Sequence, residues 1–514
     1  MTDTASASLG SESRWAKVID HGRCIGCHAC STACKSENEV PLSVHRTYVK
    51  YVDVGEFPTA RRAFQVTRCN QCEDPPCATA CPTAAMYART DGIVDFDKSI
   101  CIGCKACIAS CPYDAIFINP EDNAAEKCNF CAHRIDVGLE PACAVVCPTE
   151  AIFVGDLSDR SSRVAQVVGR DVVAVRRPEK ETRPKLFYKG AHQATLDPLA
   201  AERPGGGLFL WSEQGCGPSG IGNGRVTSGH PAHANSSAQA MLAYDVPHQI
   251  PWDYRVSLYT WTKGIASGVY LVMALLFVLG GVRGDSPVWR ITVPVLGGAA
   301  LALTGALLIW DLKHPERFLL IFKRPQWRSW LVRGAFLILG YSIVLGLHFL
   351  AGLAEADGVL GALVWVGIPL ALGTAVYTAF LFAQAKARDL WQSPLLPPHL
   401  AVQALLAGSA VLIPFAMHYD AELVPGLRWL LAISCAVHVL FVLGEITLTH
   451  PTAHARLAVR EMIRGKYRPF FWAGFVLVAF GMFASIAHVE FGALLGLLLY
   501  EHAYVQAGQS VPLA

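Results

Sequence analysis

Four runs of cysteine in the first 150 residues are the strongest constraint on how this 514-residue chain can fold. Sixteen of its eighteen cysteines lie in these runs, and the last three runs each end in Cys-Pro. The first and third runs share the spacing C-x2-C-x2-C-x3-C. In chain order the runs are Cys24, Cys27, Cys30, Cys34; Cys69, Cys72, Cys77, Cys81; Cys101, Cys104, Cys107, Cys111; and Cys128, Cys131, Cys143, Cys147.

This spacing is typical of [4Fe–4S] ligands. Three thiolates on one tight loop can bind three irons of a single cluster, while the fourth cysteine points toward a neighbouring cluster. Sixteen thiolates are enough for four [4Fe–4S] clusters. Several such clusters in one chain indicate transfer of single electrons.

Other uses of the cysteines explain the pattern less well. Zinc sites usually have two Cys pairs separated by a longer spacer. A disulfide framework needs an oxidising compartment, whereas residues 1–15 lack the features of a cleaved export signal. Cys24 to His28 also reads as C-x-x-C-H, the attachment sequence of a c-type haem. That interpretation leaves Cys30 and Cys34 unused, so we favour the iron–sulfur clusters.

The second half of the chain is apolar enough to be a membrane domain. The whole chain is 53% hydrophobic and 16% charged, with a mean hydropathy of +0.34. Eight apolar runs approach the length that crosses a bilayer, although only His488 and Glu490 separate the last two. The runs are 256–281, 289–310, 329–351, 359–383, 399–417, 427–448, 469–487 and 489–507. We therefore expect an all-α, multi-pass bundle of about eight transmembrane helices.

Basic residues orient this bundle. Loops on the side of the cysteine runs carry twelve Lys or Arg, and the opposite loops carry three: Arg283, Arg290 and Arg428. The positive-inside rule places the richer side, and with it the cysteine runs, in the cytoplasm. Some of these basic residues could instead contact the cysteine-rich domain. No basic stretch with interleaved aromatics suggests nucleic-acid binding.

The remaining boundaries follow from composition. We expect a disordered tail at 1–13, an iron–sulfur domain at 14–200, a Gly-rich connector at 201–250 and the membrane domain at 251–510. Strands are predicted at 91–96, 115–118 and 151–154; the last two follow the third and fourth runs in matching positions, as in an internal repeat. Cys216 and Cys435 lie outside the runs and are predicted to be ordinary thiols.

The N-terminal part resembles the four-cluster electron-transfer subunits of molybdopterin oxidoreductases, such as dimethyl sulfoxide, polysulfide and nitrite reductases. The resemblance rests on the four cysteine runs and on residues 177–188. It implies an α+β, ferredoxin-like domain of tandem bacterial-type modules. It also implies that the first run pairs with the fourth and the second with the third. The implied ligand sets are Cys24, Cys27, Cys30 with Cys147; Cys128, Cys131, Cys143 with Cys34; Cys69, Cys72, Cys77 with Cys111; and Cys101, Cys104, Cys107 with Cys81.

The C-terminal part is similar to the polysulfide reductase (NrfD-like) membrane subunits, which are quinone-binding anchors. The similarity rests on Trp261 with residues 264–268, on residues 311–318, and on residues 377–379 and 391–394. In the resembled families the two parts are usually separate chains, and here they are fused.

Ionisable residues in a bilayer are costly and usually functional. In the predicted topology a set of them lies near the cytoplasmic ends of the helices, where a quinone could receive electrons. We expect His314 and Tyr377 to contact the quinone, Asp311 and Glu445 to carry protons, and Trp261, Lys263 and Arg317 to complete the pocket. Alternatively, Arg317 belongs to a solvated loop and Lys263 extends to the membrane surface. His348 and His438 show no facing arrangement, so no haem is predicted.

These features predict a membrane-bound electron-transfer subunit of an oxidoreductase, in a bacterial inner membrane. Four [4Fe–4S] clusters would connect a catalytic partner with menaquinone or ubiquinone, in either direction. The resemblance implies that the partner is a molybdenum or tungsten bis-molybdopterin enzyme. Two alternatives are a component of a proton-moving respiratory complex and a transporter with an iron–sulfur regulatory domain.

Overall fold

The computed structural model describes residues 13–202, 235–483 and 488–513. Most of the predicted tail, Cys216 and much of the predicted connector lie outside these residues. The described part has a mixed α/β N-terminal half and a helical C-terminal half.

The N-terminal half contains small sheets. A four-stranded sheet has the order β8-β1-β10-β9, and β1 pairs in parallel with β10 and antiparallel with β8. A three-stranded sheet has the order β11-β2-β3, and β4-β5 and β6-β7 are hairpins. The strands are β1 Trp15–Asp20, β2 Thr47–Val54, β3 Arg61–Arg68, β4 Met86–Ala88, β5 Val94–Phe96, β6 Ile116–Ile118, β7 Ala125–Lys127, β8 Ile152–Asp156, β9 Val173–Ala174, β10 Leu186–Lys189 and β11 Met241–Tyr244.

The three predicted strands are present as β5, β6 and β8. Strands β6 and β8 follow the third and fourth cysteine runs, as the internal repeat predicts. Strand β11 lies in the predicted connector, yet it pairs with β2. The end of the connector therefore belongs to the sheet of the N-terminal half.

Short helices accompany the cysteine runs. Four of them carry cysteines of the runs. His28 before the first and Lys105 before the third have left-handed backbone conformations, while Pro75 and Pro141 precede the other two. Such turns allow the thiols of one run to point toward the same cluster position. The helices of this half are α1 Ala29–Glu37, α2 Pro76–Ala80, α3 Ala106–Ser110, α4 Ala132–Ile135, α5 Ala142–Val145, α6 Arg163–Arg170 and α7 Gln193–Leu196.

The C-terminal half is a helical bundle, and six of its helical segments are long and apolar enough to cross a membrane. These are Tyr254–Val278, Val288–Asp311, Trp330–Leu353, Asp357–Gln384, Leu396–Tyr419 and Ala421–Thr447. The α-helices are α8 Tyr254–Val278, α9 Val293–Asp311, α10 Leu320–Lys323, α11 Trp330–Leu353, α12 Asp357–Gln384, α13 Leu396–Tyr419, α14 Val424–Thr447, α15 Ala453–Ile463, α16 Arg468–Phe480 and α17 Val489–Ser510.

The last two predicted spans form α16 and α17, but neither is among those six segments. Helix α16 has 13 residues, fewer than the roughly twenty that cross a bilayer. Helix α17 has 22 residues but buries two carboxylates, Glu490 and Glu501. The expectation of eight spanning helices is therefore not confirmed. The described spans are six in number, and with an even number both ends of the domain still lie on one side.

Glycines allow two central helices of the bundle to touch. A Cβ on Gly268 of α8 would lie 1.8 Å from the carbonyl oxygen of Ala404 in α13. A Cβ on Gly408 of α13 would in turn lie 2.1 Å from the carbonyl carbon of Gly268. Because packing rather than hydrophobicity drives association of membrane helices, such close approach stabilises the bundle.

Candidate functional site

The structure brings cysteines of the first run beside those of the fourth, and cysteines of the second run beside those of the third. Cys24 lies within electrostatic range of Cys27, Cys30 and Cys147, and Cys34 within range of Cys128 and Cys143. The Asn38 amide nitrogen lies 3.8 Å from the sulfurs of both Cys34 and Cys131. We name these sets site 1 (Cys24, Cys27, Cys30, Cys147) and site 2 (Cys34, Cys128, Cys131, Cys143).

The second and third runs form the other two sets. Cys77 lies within electrostatic range of Cys69, Cys72 and Cys111. A small cavity is lined by four cysteines that come from the second and third runs. We name these sets site 3 (Cys69, Cys72, Cys77, Cys111) and site 4 (Cys81, Cys101, Cys104, Cys107). We divide the neighbouring cysteines into these four sets as the resemblance implies, and the assignment of each set to one cluster stays a prediction.

The sites follow one another in space. Cys30 of site 1 lies within electrostatic range of Cys143 of site 2, and Cys69 of site 3 within range of Cys128. Cys77 of site 3 lies within range of Cys107 of site 4. The spatial order is therefore 1, 2, 3, 4, which differs from the order of the runs in the sequence because the fourth run folds back beside the first.

The thiols fit iron–sulfur clusters. All seventeen cysteines in the described residues are free, and burial raises the pKa of Cys34 and Cys72 to about 12. Buried thiolates therefore need positive charge, which bound iron supplies. No three Cys, His, Asp or Glu side chains in the described residues could share one metal ion. Cluster ligands need not do so, because each binds a different iron.

Backbone and side-chain donors also reach the sulfurs. The amides of Met86, Ala125 and Ala151 donate to Cys81, Cys101 and Cys147 at 3.2–3.4 Å. Burial acts to raise the pKa of Cys143, but Lys17 and Arg68 outweigh it and lower that pKa to about 7.

His28, the residue that suggested a c-type haem, packs on aromatic rings instead. Its ring centre lies 5.3 Å from that of Tyr51 and 5.2 Å from that of Tyr244. Its two neighbouring cysteines belong to site 1 together with Cys30 and Cys147.

Site 4 lies directly on the membrane half. The amides of Lys313 and His314 donate to the carbonyls of Gly103 and Ile102, at 3.4 and 3.2 Å. Ile102 is buried among Ile321 and Val332 of the membrane half. The loop that carries Cys101 and Cys104 is thus joined by backbone hydrogen bonds to the segment after α9.

A buried ion pair crosses the same boundary. Lys105, next to Cys104, places its Nζ 2.8 Å from Asp311 Oδ1, and both side chains are less than a tenth exposed. Arg255 Nε lies 3.8 Å from the same carboxylate oxygen. The pair links a ligand loop of site 4 with the end of a membrane helix.

Beneath this contact lies an apolar cavity of about 200 Å³. Its walls are mostly aliphatic and aromatic, and Cys104 is one of the lining residues. Asp311, Tyr259 and Tyr377 supply its carboxylate and phenol groups. Trp252 also lines the cavity and donates from Nε1 to the Cys104 carbonyl at 3.3 Å. An apolar pocket with a few polar groups is the usual form of a small-molecule site.

Of the seven residues predicted for the quinone site, the structure places two in the cavity wall: Asp311 and Tyr377. Lys263 lies behind Tyr377, with Nζ 4.9 Å from its ring centre and 2.6 Å from Thr378 Oγ1. Lys263 is buried, so it does not extend to the membrane surface.

The other four lie elsewhere. His314 Nε2 is 2.7 Å from the Asp122 carbonyl, and Arg317 donates to the carbonyls of Lys98 and Cys101. Both therefore dock the cysteine-rich half, and His314 does not line the cavity. Trp261 donates to the Leu494 carbonyl, and Glu445 Oε1 lies 3.9 Å from His450.

Sequence reasoning missed several residues. Trp252, Tyr259 and Lys105 gave no signal because their roles depend on the contact between the two halves. His438 is paired, but with His399: Nδ1 lies 2.9 Å from His399 Nε2. His348 Nε2 lies 2.9 Å from the Trp289 carbonyl. Cys435 is a buried thiol of α14, as predicted.

The fold and the cysteine sites define an integral membrane protein with an iron–sulfur ligand domain. Residues 61–157 match the family described as a 4Fe-4S dicluster domain, and residues 244–500 match polysulphide reductase, NrfD.

Curated proteins match the N-terminal half. A subunit of tetrathionate reductase from Salmonella typhimurium is 41% identical over 209 residues, which cover 39% of this chain and 80% of that protein. A polypeptide of polysulfide reductase from Wolinella succinogenes is 42% identical over 177 residues, 34% of this chain and 93% of that protein. Protein NrfC of Escherichia coli is 38% identical over 177 residues, 34% and 79% of the two chains. This chain therefore belongs to the polysulphide reductase NrfD family through its membrane half, and to the family of these reductase iron–sulfur subunits through its N-terminal half.

Proposed function

We propose that this chain carries electrons between a catalytic subunit and a membrane quinone, as the electron-transfer subunit of an oxidoreductase complex. The observation that carries the proposal is the contact between the apolar cavity of the membrane half and Cys104 of site 4. A [4Fe–4S] cluster bound at each site would accept and donate one electron at a time. The relatives that are named as reductase subunits support this function.

The cavity suits a quinone, either menaquinone or ubiquinone. Its apolar wall would bind the ring and the start of the isoprenoid tail, while Asp311, Tyr259 and Tyr377 can exchange protons at the quinone oxygens. Lys105 holds the Asp311 carboxylate in place from the side of site 4.

Protons would reach the cavity through buried polar groups in the same half of the bundle. Lys263 lies behind Tyr377, and Glu501 is within electrostatic range of Lys263. Glu445 is within range of Tyr500, the residue next to Glu501. On this route Glu445 carries protons, as predicted, without contacting the quinone.

The opposite end of the row of sites faces the catalytic partner. Cys27 of site 1 is exposed, and Ile25, Val145 and Val146 beside the ligands of this site are 40–59% exposed. An apolar surface around an exposed ligand suits a subunit that exchanges electrons there. We propose a molybdenum or tungsten bis-molybdopterin enzyme as this partner.

We further propose that the complex lies in a bacterial inner membrane with the iron–sulfur domain in the cytoplasm. The basic loops on that side support this orientation. Arg317 and Arg388 count less toward it, because both bind carbonyls within the protein.

The test uses the complex purified anaerobically with its copurifying subunits. We expect about sixteen irons per chain, stoichiometric molybdenum or tungsten, and EPR signals of the clusters that appear on addition of a quinol analogue. Tyr377→Phe and Asp311→Asn should slow that reduction at least tenfold. Tyr270→Phe is the matched control, since Tyr270 is a buried phenol of the bundle whose hydroxyl donates to the Leu363 carbonyl.

Intact clusters that neither respond to quinol nor copurify with molybdenum or tungsten would refute the proposal. Weight would then move to the proton-moving or transporter alternatives. Normal reduction in Tyr377→Phe and Asp311→Asn would place the quinone site elsewhere in the bundle.

A further inference from the structure

Two buried cations contact a single cysteine of site 2. Arg68 Nη1 lies 2.9 Å from Cys143 Sγ, and Lys17 Nζ lies 3.7 Å from the same sulfur. Arg68 is fully buried and Lys17 is 2% exposed. Hydrogen bonds from charged donors are about twice as strong as neutral ones.

Apart from the cysteine thiolates, these cations have no countercharge in the part of the chain that the structure describes. Within residues 13–202, 235–483 and 488–513, neither Arg68 nor Lys17 forms an ion pair with a carboxylate. The Nε and Nη2 atoms of Arg68 are buried without a hydrogen-bond acceptor in the same residues. Lys17 lies over the Phe130 ring, 4.2 Å from its centre. Unpaired buried charges are strongly destabilising, so these two cations need an anion at Cys143.

The cations described near sites 3 and 4 make no direct hydrogen bond to a ligand sulfur. Lys105, beside site 4, is paired with Asp311. Lys127 lies within electrostatic range of Cys69 and Cys77 of site 3, but its Nζ donates to the carbonyls of Val94 and Cys128. The hydrogen bonds described for Cys81, Cys101 and Cys147 come from neutral groups. In the described part of the chain, direct cation–sulfur hydrogen bonds occur at site 2.

We propose that Arg68 and Lys17 raise the reduction potential of the cluster at site 2 above those of the other three, so that it is the first to be reduced. The proposal rests on the proposed function, which places clusters at these sites. Reduction adds one negative charge to a cluster. Two fixed positive charges at one ligand sulfur stabilise that added charge, and the low dielectric of the buried site strengthens the effect.

If site 2 has the highest reduction potential, its position decides where an electron resides in the row. Site 2 is second in the row, next to site 1 and two sites away from the cavity. An electron would rest there, near the catalytic partner, whichever way the complex runs. Arg68 and Lys17 are thus positioning residues for the electron and do not touch the quinone.

The test is an EPR redox titration of the holo-complex with chemical mediators. Arg68→Gln should lower the midpoint potential of the cluster reduced first by more than any other, because Arg68 bonds a ligand sulfur of site 2. A smaller shift is expected at site 1, since Arg68 also interacts electrostatically with Cys30. Lys17→Gln should produce a smaller shift of the same signal, because its contact is longer. Arg68→Lys keeps the charge and should restore most of the potential. Cys143→Ser identifies the signal, because it should alter that same spectrum.

Arg176→Gln is the matched control. Arg176 is also a buried arginine, but it donates to the carbonyls of Leu196 and Leu513. Its replacement should leave all four midpoints unchanged. Unchanged potentials in Arg68→Gln and Lys17→Gln with full iron content would overturn the proposal, as would a first-reduced cluster that Cys143→Ser does not affect. If Arg68→Gln loses iron, Arg68→Lys and Lys17→Gln decide.

Because mediators replace both quinone and partner, this outcome is independent of the quinol test. A complex could fail to react with quinol and still show the predicted order of potentials, or the reverse.

Discussion

Lys105 and Asp311 form a buried ion pair across the boundary between the cysteine-rich half and the membrane half, with 2.8 Å between Nζ and Oδ1. Lys105 follows a ligand of site 4, and Asp311 lines the cavity. This single contact ties the last site of the row to the proposed quinone pocket.

Loss of Asp311 should destabilise the protein more than loss of Lys105, because Asp311 has a second cation nearby and Lys105 has one carboxylate partner among the described residues. Asp311→Asn leaves the Lys105 ammonium without its partner in a buried position, so it should lower the free energy of unfolding by about 3 kcal/mol. Lys105→Gln should cost less, because Arg255 remains 3.8 Å from the Asp311 carboxylate. Thermal unfolding of the detergent-solubilised protein measures both. Equal losses in the two variants would contradict the asymmetry.

Gly103 should be irreplaceable at the same boundary. Its φ is +68°, and a Cβ would lie 2.4 Å from the Lys313 Cβ. Gly103→Ala should therefore separate the site 4 loop from the membrane half and increase its cleavage in limited proteolysis. Gly138→Ala is the control, since Gly138 has φ +78° with open space around it. That variant should lose only about 1 kcal/mol of stability, which is the cost of placing a residue with a Cβ in the left-handed region. Equal effects would show that docking does not depend on this approach.

Close packing of α8 and α13 should limit substitution at Gly268. An alanine there would meet the Ala404 carbonyl oxygen at 1.8 Å, so Gly268→Ala should separate the helices and lower the unfolding temperature in detergent by several degrees. Gly346→Ala in α11 has open space at its Cβ and should have no such effect. A stable Gly268→Ala protein would mean that the two helices shift without cost.

His248 should make stability depend on pH. Burial acts to lower its pKa, but Asp245 and Asp114 outweigh burial and raise it to about 9. Nε2 lies 3.1 Å from Asp245, and Nδ1 contacts Asp114. Since the folded pKa lies above the unfolded value near 6.5, the contribution is complete below pH 6.5 and is lost as the pH rises toward 9. It amounts to about 3 kcal/mol.

Unfolding free energies at pH 6 and pH 9 measure this effect. His248→Gln should remove most of the difference between the two values, while His418→Gln, on the opposite side of the bundle, should keep it. A wild-type protein with equal stability at both pH values would contradict the prediction.

Local spacing and composition were enough to predict much of this protein. Cysteines separated by two other residues must fall on one loop, so the runs alone predict cluster ligands. The strands after the third and fourth runs, β6 and β8, were predicted correctly for the same local reason. The apolar runs predicted the six long helices, while the two further spans, at α16 and α17, are not confirmed. Helix α17 carries several buried polar side chains, Glu501 among them.

The candidate quinone site shows where sequence reasoning ends. Asp311 and Tyr377 were placed by their depth in apolar helices, and both line the cavity. His314 is also an ionisable residue at the cytoplasmic end of the predicted helices. In the structure, however, its imidazole contacts the Asp122 carbonyl of the docked cysteine-rich half. Which residues face the cavity depends on how the two halves meet, and no periodicity within one helix records that.

The sequence by itself determined the four cysteine runs, the two halves and the six long apolar helices, because each depends on residues close together in the chain. Only the tertiary structure decided the spatial order of the four sites, the contact of Cys104 with the cavity and the cations at Cys143. Arg68 lies 75 positions from Cys143, and Lys105 lies 206 from Asp311. Contacts at such separations follow from packing and buried charge, since folding alone brings those groups out of water and into one place.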